Sequence, residues 1–168
     1  GFLHRQTVHS AYLTLMRSFG DFSAQLGARA EHAGNRLELP VETADVGRDY
    51  FNVFPSANLN YSFGQGKRVR MSYSMRIRRP SSNVLNPINT SSDQLNVRVG
   101  NPDIEPQYTH SYTLNASWSG ELGYLRATPF YRHSVNEWEQ LRTVDEVGVS
   151  TTTYENLDEG DYTQESLT

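Results

Sequence analysis

The stretch Phe51-Asn52-Val53-Phe54-Pro55-Ser56-Ala57-Asn58-Leu59-Asn60-Tyr61-Ser62-Phe63 decides the fold. Its odd positions read Phe51, Val53, Pro55, Ala57, Leu59, Tyr61 and Phe63, and its even positions read Asn52, Phe54, Ser56, Asn58, Asn60 and Ser62. Side chains alternate between the two faces of a β-strand, so this spacing makes a ribbon with one apolar side and one largely polar side. At about 3.3 Å per residue the stretch spans about 40 Å, and a tilt of about 40° lowers its height to about 30 Å, the hydrocarbon thickness of a bilayer. Strands of soluble domains usually stop at about half that length.

Working outward, the pattern recurs. Lys67, Val69, Met71, Tyr73, Met75 and Ile77 alternate with Arg68, Arg70, Ser72, Ser74, Arg76 and Arg78, which puts four arginines on one side. Phe22, Ala24, Leu26, Ala28 and Ala30 alternate with Ser23, Gln25, Gly27, Arg29 and Glu31; Tyr112, Leu114, Ala116 and Trp118 alternate with Ser111, Thr113, Asn115 and Ser117. Val8 to Phe19 and Leu122 to Val135 fit less cleanly, the latter because Pro129 removes a ladder donor and Phe130 and Tyr131 fall on opposite faces.

The connections alternate in length. Gly20-Asp21 is tight, Gly34 to Asp49 long, Gly64-Gln65-Gly66 tight, Arg79 to Gln107 longer, and Ser119-Gly120-Glu121 tight again. Short turns on one side and long loops on the other are the habit of transmembrane barrels, with the short turns periplasmic and the long loops extracellular. The predicted architecture is therefore all-β: an antiparallel up-and-down meander of about seven strands, part of a transmembrane β-barrel. Tyr50, Phe51, Tyr61, Phe63, Tyr108, Tyr112, Trp118 and Tyr124 fall near strand ends, where an interfacial girdle places aromatics.

Composition agrees. A mean hydropathy of −0.64 is what strands dividing their residues between lipid and water produce. No apolar run reaches the roughly 20 residues of a membrane helix. There is no cysteine, which excludes disulfides and thiolate chemistry, and a net charge of −4 argues against a nucleic-acid partner. Lys67 to Arg79 is basic, whereas nine acids lie from Glu137 to the end against one arginine, Arg142; both read as solvated surface.

Candidate chemistry is sparse. His4, His9, His32, His110 and His133 lack the close spacing of a metal site, and Asp158-Glu159-Gly160-Asp161 lacks the spaced ligand ladder of a calcium loop, so it reads as a solvated loop. No nucleophile elbow or phosphate-cradling glycine loop occurs. The expectation is no enzyme, no cofactor and no metal. The one cluster with functional promise is Arg68, Arg70, Arg76 and Arg78, whose guanidinium forks suit carboxylates or phosphates.

Short motifs then follow one another in order: Phe54-Pro55-Ser56; Ser72-Tyr73-Ser74, Arg76-Ile77 and Arg79-Pro80; Leu85-Asn86-Pro87; Val99-Gly100-Asn101-Pro102-Asp103-Ile104-Glu105-Pro106; Tyr108-Thr109-His110-Ser111-Tyr112; and Tyr154-Glu155-Asn156-Leu157. In this order they resemble the C-terminal barrel region of TonB-dependent receptors, within the outer-membrane β-barrel group. Met75 and Gln107 depart from that pattern, which more often has Arg and Glu there. Arg79-Pro80, Asn86-Pro87, Gly100-Asn101-Pro102 and Pro106 read as architectural, since proline cannot donate to the next rung and Gly-Asn-Pro is an adaptable turn.

The resemblance implies a bacterial outer-membrane receptor importing a scarce nutrient: siderophore-bound iron, cobalamin or a saccharide. It further implies lipid around the strands, an N-terminal plug domain and a TonB-type energy-coupling partner. Residues 1–168 are read as part of a single outer-membrane barrel domain, about a third of a barrel of about 22 strands, cut from a longer protein. Such a piece has open edges, so alone in water it is expected to self-associate and neither to transport nor to bind substrate tightly. The competing readings are a soluble all-β sandwich, whose apolar faces meet each other, and an outer-membrane enzyme.

Overall fold

In a computed structural model, described for residues 3–38, 46–89, 91–93, 95–121 and 123–167, the chain is almost entirely strand. In chain order the elements are β1 (Leu3–Phe19), β2 (Phe22–Glu38), β3 (Val46–Gly64), β4 (Lys67–Arg78), the short helix α1 (Ser82–Leu85), β5 (Asn96–Arg98), β6 (Gln107–Gly120), β7 (Gly123–Val144) and β8 (Ser150–Leu167). They form one eight-stranded sheet in the order β1-β2-β3-β4-β6-β7-β8-β5. Seven long strands thus follow one another as an up-and-down meander, and the three-residue β5 lies parallel to β8, with Asn96 opposite Ser150 and Arg98 opposite Thr152. Among the described residues there is no second sheet to cover the apolar faces, which removes the sandwich reading.

Local chemistry sets the turns. Gly64 is opposite Lys67, and Gln65 and Gly66 between them have φ of +46° and +74°, the doubly left-handed pair of a two-residue hairpin whose twist matches the strands. Gly66 has a second constraint, because a Cβ there would stand 2.3 Å from the Ser119 carbonyl oxygen. Neighbouring tight turns are stitched together: Ser62 N donates to Asp21 O (2.9 Å) and Ser119 N to Gly66 O (3.1 Å). Between Ser62 and Gly64 the β3–β4 register shifts at Phe63, a bulge beside the turn.

Three expectations are corrected. The long connection expected from Gly34 to Asp49 is mostly strand, because β2–β3 pairing continues to Leu37 opposite Val46; residues 39–45 lie outside the described residues. Backbone pairing does not need an apolar face, so the hairpin outlasts the alternation that revealed it. Pro129 does not interrupt its strand: β7 runs unbroken from Gly123 to Val144, since a missing amide removes one rung and leaves the flanking ones. The acidic group Asp158 to Asp161, expected in a loop, has its backbone within β8.

The chain divides into two compact units, one of Gly1–Met75, Ser111–Phe130 and Gln164–Thr168, the other of Arg76–His110 and Tyr131–Thr163. The first is sheet with large apolar side chains uncovered. The second contains a small core of Val84, Leu85, Ile104 and Trp138, with Tyr154 packed against it and Ile104 only 1% exposed.

Candidate functional site

Register converts the sequence alternation into rows. On one face of β1 to β4, Leu15, Leu26, Ala57 and Tyr73 stand in a line across the strands. The next line toward the tight turns is Arg17, Ala24, Leu59 and Met71, and the last is Phe19, Phe22, Tyr61 and Val69. In the other direction come Leu13, Ala28 and Pro55, then Ala11, Ala30 and Val53, then His9, His32 and Phe51. Leu13 and Leu15 are each 64% exposed and Leu26 55%, a surface that water penalises and acyl chains do not.

This apolar field is bounded at both ends by aromatics. From Phe51 to Tyr61 along β3 is ten residue steps, about 33 Å, or about 25 Å of height at a tilt of about 40°. That is the height of the apolar band on transmembrane barrels. Arg17, one row inside the lower border, lays its guanidinium 5.0 Å from the Phe19 ring centre, the reach of a long side chain extending its charge to the interface. Tyr73 and Tyr112 rings lie 5.0 Å apart. Two residues expected in the girdle belong elsewhere: register puts Tyr50 opposite Ala33 on the other face, and Tyr124 lines an arginine recess.

The opposite face is polar. Its rows include Ser18, Ser23, Asn60 and Arg70, and Met16, Gln25, Asn58 and Ser72. Arg29 reaches Glu31 (Nη2 to Oε1, 3.2 Å) and lies 5.1 Å over the ring of Phe54, which is buried although it sits among polar neighbours. Pro55 is on the apolar face just beyond the β3–β4 ladder, which runs from Ser56 opposite Ser74 toward the turn, so its missing amide removes no rung there.

The four candidate arginines separate into two settings. Arg68 and Arg70 line a recess of about 190 Å³ with Asn115, Ser117, Tyr124 and Arg126. Asn60 Oδ1 accepts from Arg70, and Asn115 Oδ1 accepts from Arg126 Nε (3.0 Å), Arg126 Nη2 (2.8 Å) and Thr128 Oγ1 (2.9 Å). Amide oxygens orient these guanidiniums without neutralising them. Sequence reasoning missed Arg126 because its strand alternates poorly; the signal available was a third arginine just after a tight turn. Arg78 stacks 4.4 Å over the Trp138 ring, and Arg76 is exposed.

The motif residues of the long connection meet in the second unit. Gly100 N donates to Asn86 O (2.7 Å), Asn101 N to Val84 O (2.7 Å), and Asn101 Nδ2 to Tyr154 O (3.1 Å). A Cβ on Gly100 would fall 2.5 Å from Val84 O and 2.7 Å from Asn86 N, so only glycine permits this approach. Pro102 follows the crossing, Pro87 leaves Asn86, Pro80 with Arg79 ends β4, and Pro106 is buried where the chain enters β6. Asn156 Nδ2 donates to Asn136 O (2.9 Å), and Asn136 Nδ2 to Glu105 Oε2 (2.9 Å). The connection is thereby clasped to β7 and β8. Histidines distant in sequence are also brought together, His9 opposite His32 and the His110 and His133 rings 6.2 Å apart. Among the described residues no group of three metal-ligating side chains forms.

A two-faced sheet of bilayer height agrees with what comparison of whole families finds: the model of the outer membrane protein beta-barrel family matches residues 1–168. The chain belongs to this family. As a family member it is placed in the bacterial outer membrane. No curated protein matches the sequence. Solved structures share the fold, and the three that follow are receptors. The Serratia marcescens hemophore receptor HasR, in complex with its hemophore HasA and heme, has 14% identity and a TM-score of 0.74, covering 96% of this chain and 31% of that one. The siderophore receptor PirA from Pseudomonas aeruginosa has 15% identity and a TM-score of 0.59, covering 99% and 39%. The ferric-catecholate import receptor Fiu from E. coli K12 has 16% identity and a TM-score of 0.61, covering 99% and 28%. The chain thus spans less than two fifths of each of these structures.

Proposed function

We propose that this chain is a segment of an outer-membrane receptor that imports a scarce nutrient: an iron–siderophore complex, cobalamin or a saccharide. The observation that carries it is the row structure of β1 to β4, an apolar band about 25 Å tall backed by a polar face with uncompensated arginines. Residues 1–168 form part of one barrel domain, and the whole protein adds further strands, a plug domain and contact with a TonB-type energy-coupling protein. No catalytic role is proposed.

In the closed barrel the polar face borders the lumen. Arg68 and Arg70, with Arg126, face the plug or the passing ligand there, and Arg76 and Arg78 extend the same strand face. Guanidinium forks held by amide oxygens keep donors free for carboxylates. The test is uptake by cells carrying the full-length protein, with labelled ferric siderophore, cobalamin and oligosaccharide, with and without an energised inner membrane. Energy-dependent accumulation of one of them is expected; accumulation of none, with the barrel assembled, contradicts the proposal. Charge reversal, Arg70→Glu with Arg76→Glu, is expected to weaken plug docking or uptake at least several-fold, and unchanged values for both would remove the role given to these arginines.

A further inference from the structure

Two polar recesses adjoin in the second unit. One, of about 290 Å³, is lined by Asn86, Arg98, Gln140 and Thr152 among others; the next, of about 420 Å³, shares Arg98 and Thr152 and adds Arg142 and Asp93. All of these residues come from the clasped connection, from β7 or from β8, so the clasp holds the walls in place.

The charges are unequal. Asp93 is the only carboxylate among these residues and is already engaged, its Oδ1 accepting from Leu95 N (2.9 Å) and its Oδ2 from Asn96 Nδ2 (2.7 Å). Arg142 Nε donates to Ser150 Oγ, which fixes the plane of the guanidinium and leaves its terminal nitrogens to the recess. Among the described residues neither Arg98 nor Arg142 forms an ion pair. Two forks with unspent donors face a space walled by amide and hydroxyl groups, which both donate and accept.

From this we infer a binding site for an anionic, oxygen-rich ligand: an oxyanion held by Arg98 and Arg142, with neighbouring hydroxyl, carbonyl or phenolate oxygens paired by Asn86, Gln140 and Thr152. A sugar acid and a ferric catecholate complex both present that chemistry. The inference rests on the import reading and names the chemical class of its ligand.

The experiment is calorimetric titration of the full-length receptor in detergent with trigalacturonate, its carboxyl-reduced neutral counterpart, and a ferric tris-catecholate complex. One anionic probe is expected to bind, and which one identifies the source of the oxyanion; the neutral trisaccharide should bind at least tenfold more weakly. Arg98→Gln and Arg142→Gln should each weaken the anionic probe about tenfold or more, the loss of one charge-assisted hydrogen-bonded pair. Arg98→Lys should recover part of that loss. Heat-modifiable migration of each variant verifies that the barrel is assembled. Binding of neither anion, or equal affinity in both glutamine variants, overturns the site. Energy-dependent uptake that persists in those variants would then leave import standing, whereas its absence from the unaltered receptor would end the import reading itself.

Discussion

At the scale of single residues, the sheet depends on positions where a side chain is forbidden or forced. Gln65 holds φ of +46° at the first central position of its hairpin, where asparagine is the better occupant. Gln65→Asn is therefore expected to stabilise the refolded full-length barrel by about 0.5–1 kcal/mol, and Gly66→Ala to destabilise it by about 1–3 kcal/mol through the Ser119 carbonyl. Urea unfolding midpoints in lipid vesicles measure both, and equal midpoints would contradict the turn geometry. The hairpin was legible in Gly64-Gln65-Gly66. Its close approach to Ser119 was not, because the two positions lie 53 residues apart and are joined only by the β4–β6 pairing. The same is true of Arg126 and of the His110–His133 contact. Sequence shows which faces exist, and register shows who shares them.

At the scale of elements, alternation identified β2, β3, β4 and β6 because each has one greasy and one wet side. It underestimated strands wherever both sides are polar, as at Asn35 and Arg36 of β2 or along the acidic end of β8, because hydrogen-bonded pairing proceeds without any apolar signal. The two faces should respond oppositely to charge. Leu26→Arg, in the middle of the apolar field, is expected to cost about 2–4 kcal/mol of barrel stability, and Gln25→Arg, one residue away on the polar face, close to nothing. Equal costs in vesicle refolding titrations would mean that the faces are not distinguished by lipid.

The long connection is an element of a different kind, organised by Asx-type hydrogen bonds and a small core. Within it the Asn96 side chain, then the Leu95 amide, hold the Asp93 carboxyl below its usual range. The sign follows directly: a lowered folded pKa means that these bonds contribute above the ordinary carboxylate pKa and are lost as pH falls through the folded value. Protection of the Leu95 amide from hydrogen exchange, measured in the full-length receptor, should accordingly fall on acidification below that range. Protection independent of pH, or rising on acidification, would contradict the assignment. The motif residues of this connection were legible as turn formers, but their convergence on Tyr154 was not, since Asn101 reaches it across 53 positions.

At the scale of the whole molecule, the central claim is that one face of the sheet meets acyl chains and the other meets water. The family assignment and the shared fold agree with that division, and the proposed import function is built upon it. Residues 1–168 contain no cysteine, so once any cysteine elsewhere in the full-length receptor is replaced by serine each position can report alone. The most direct measurement is a cysteine scan from Phe51 to Tyr61 in the full-length receptor, reconstituted in lipid vesicles, with a fluorophore read against a lipid-borne quencher and a water-soluble one. Odd positions should be quenched from the lipid and even positions from water, a period of two held across the whole stretch. Quenching that is the same at neighbouring positions, or a lipid signal confined to the strand ends, would contradict it.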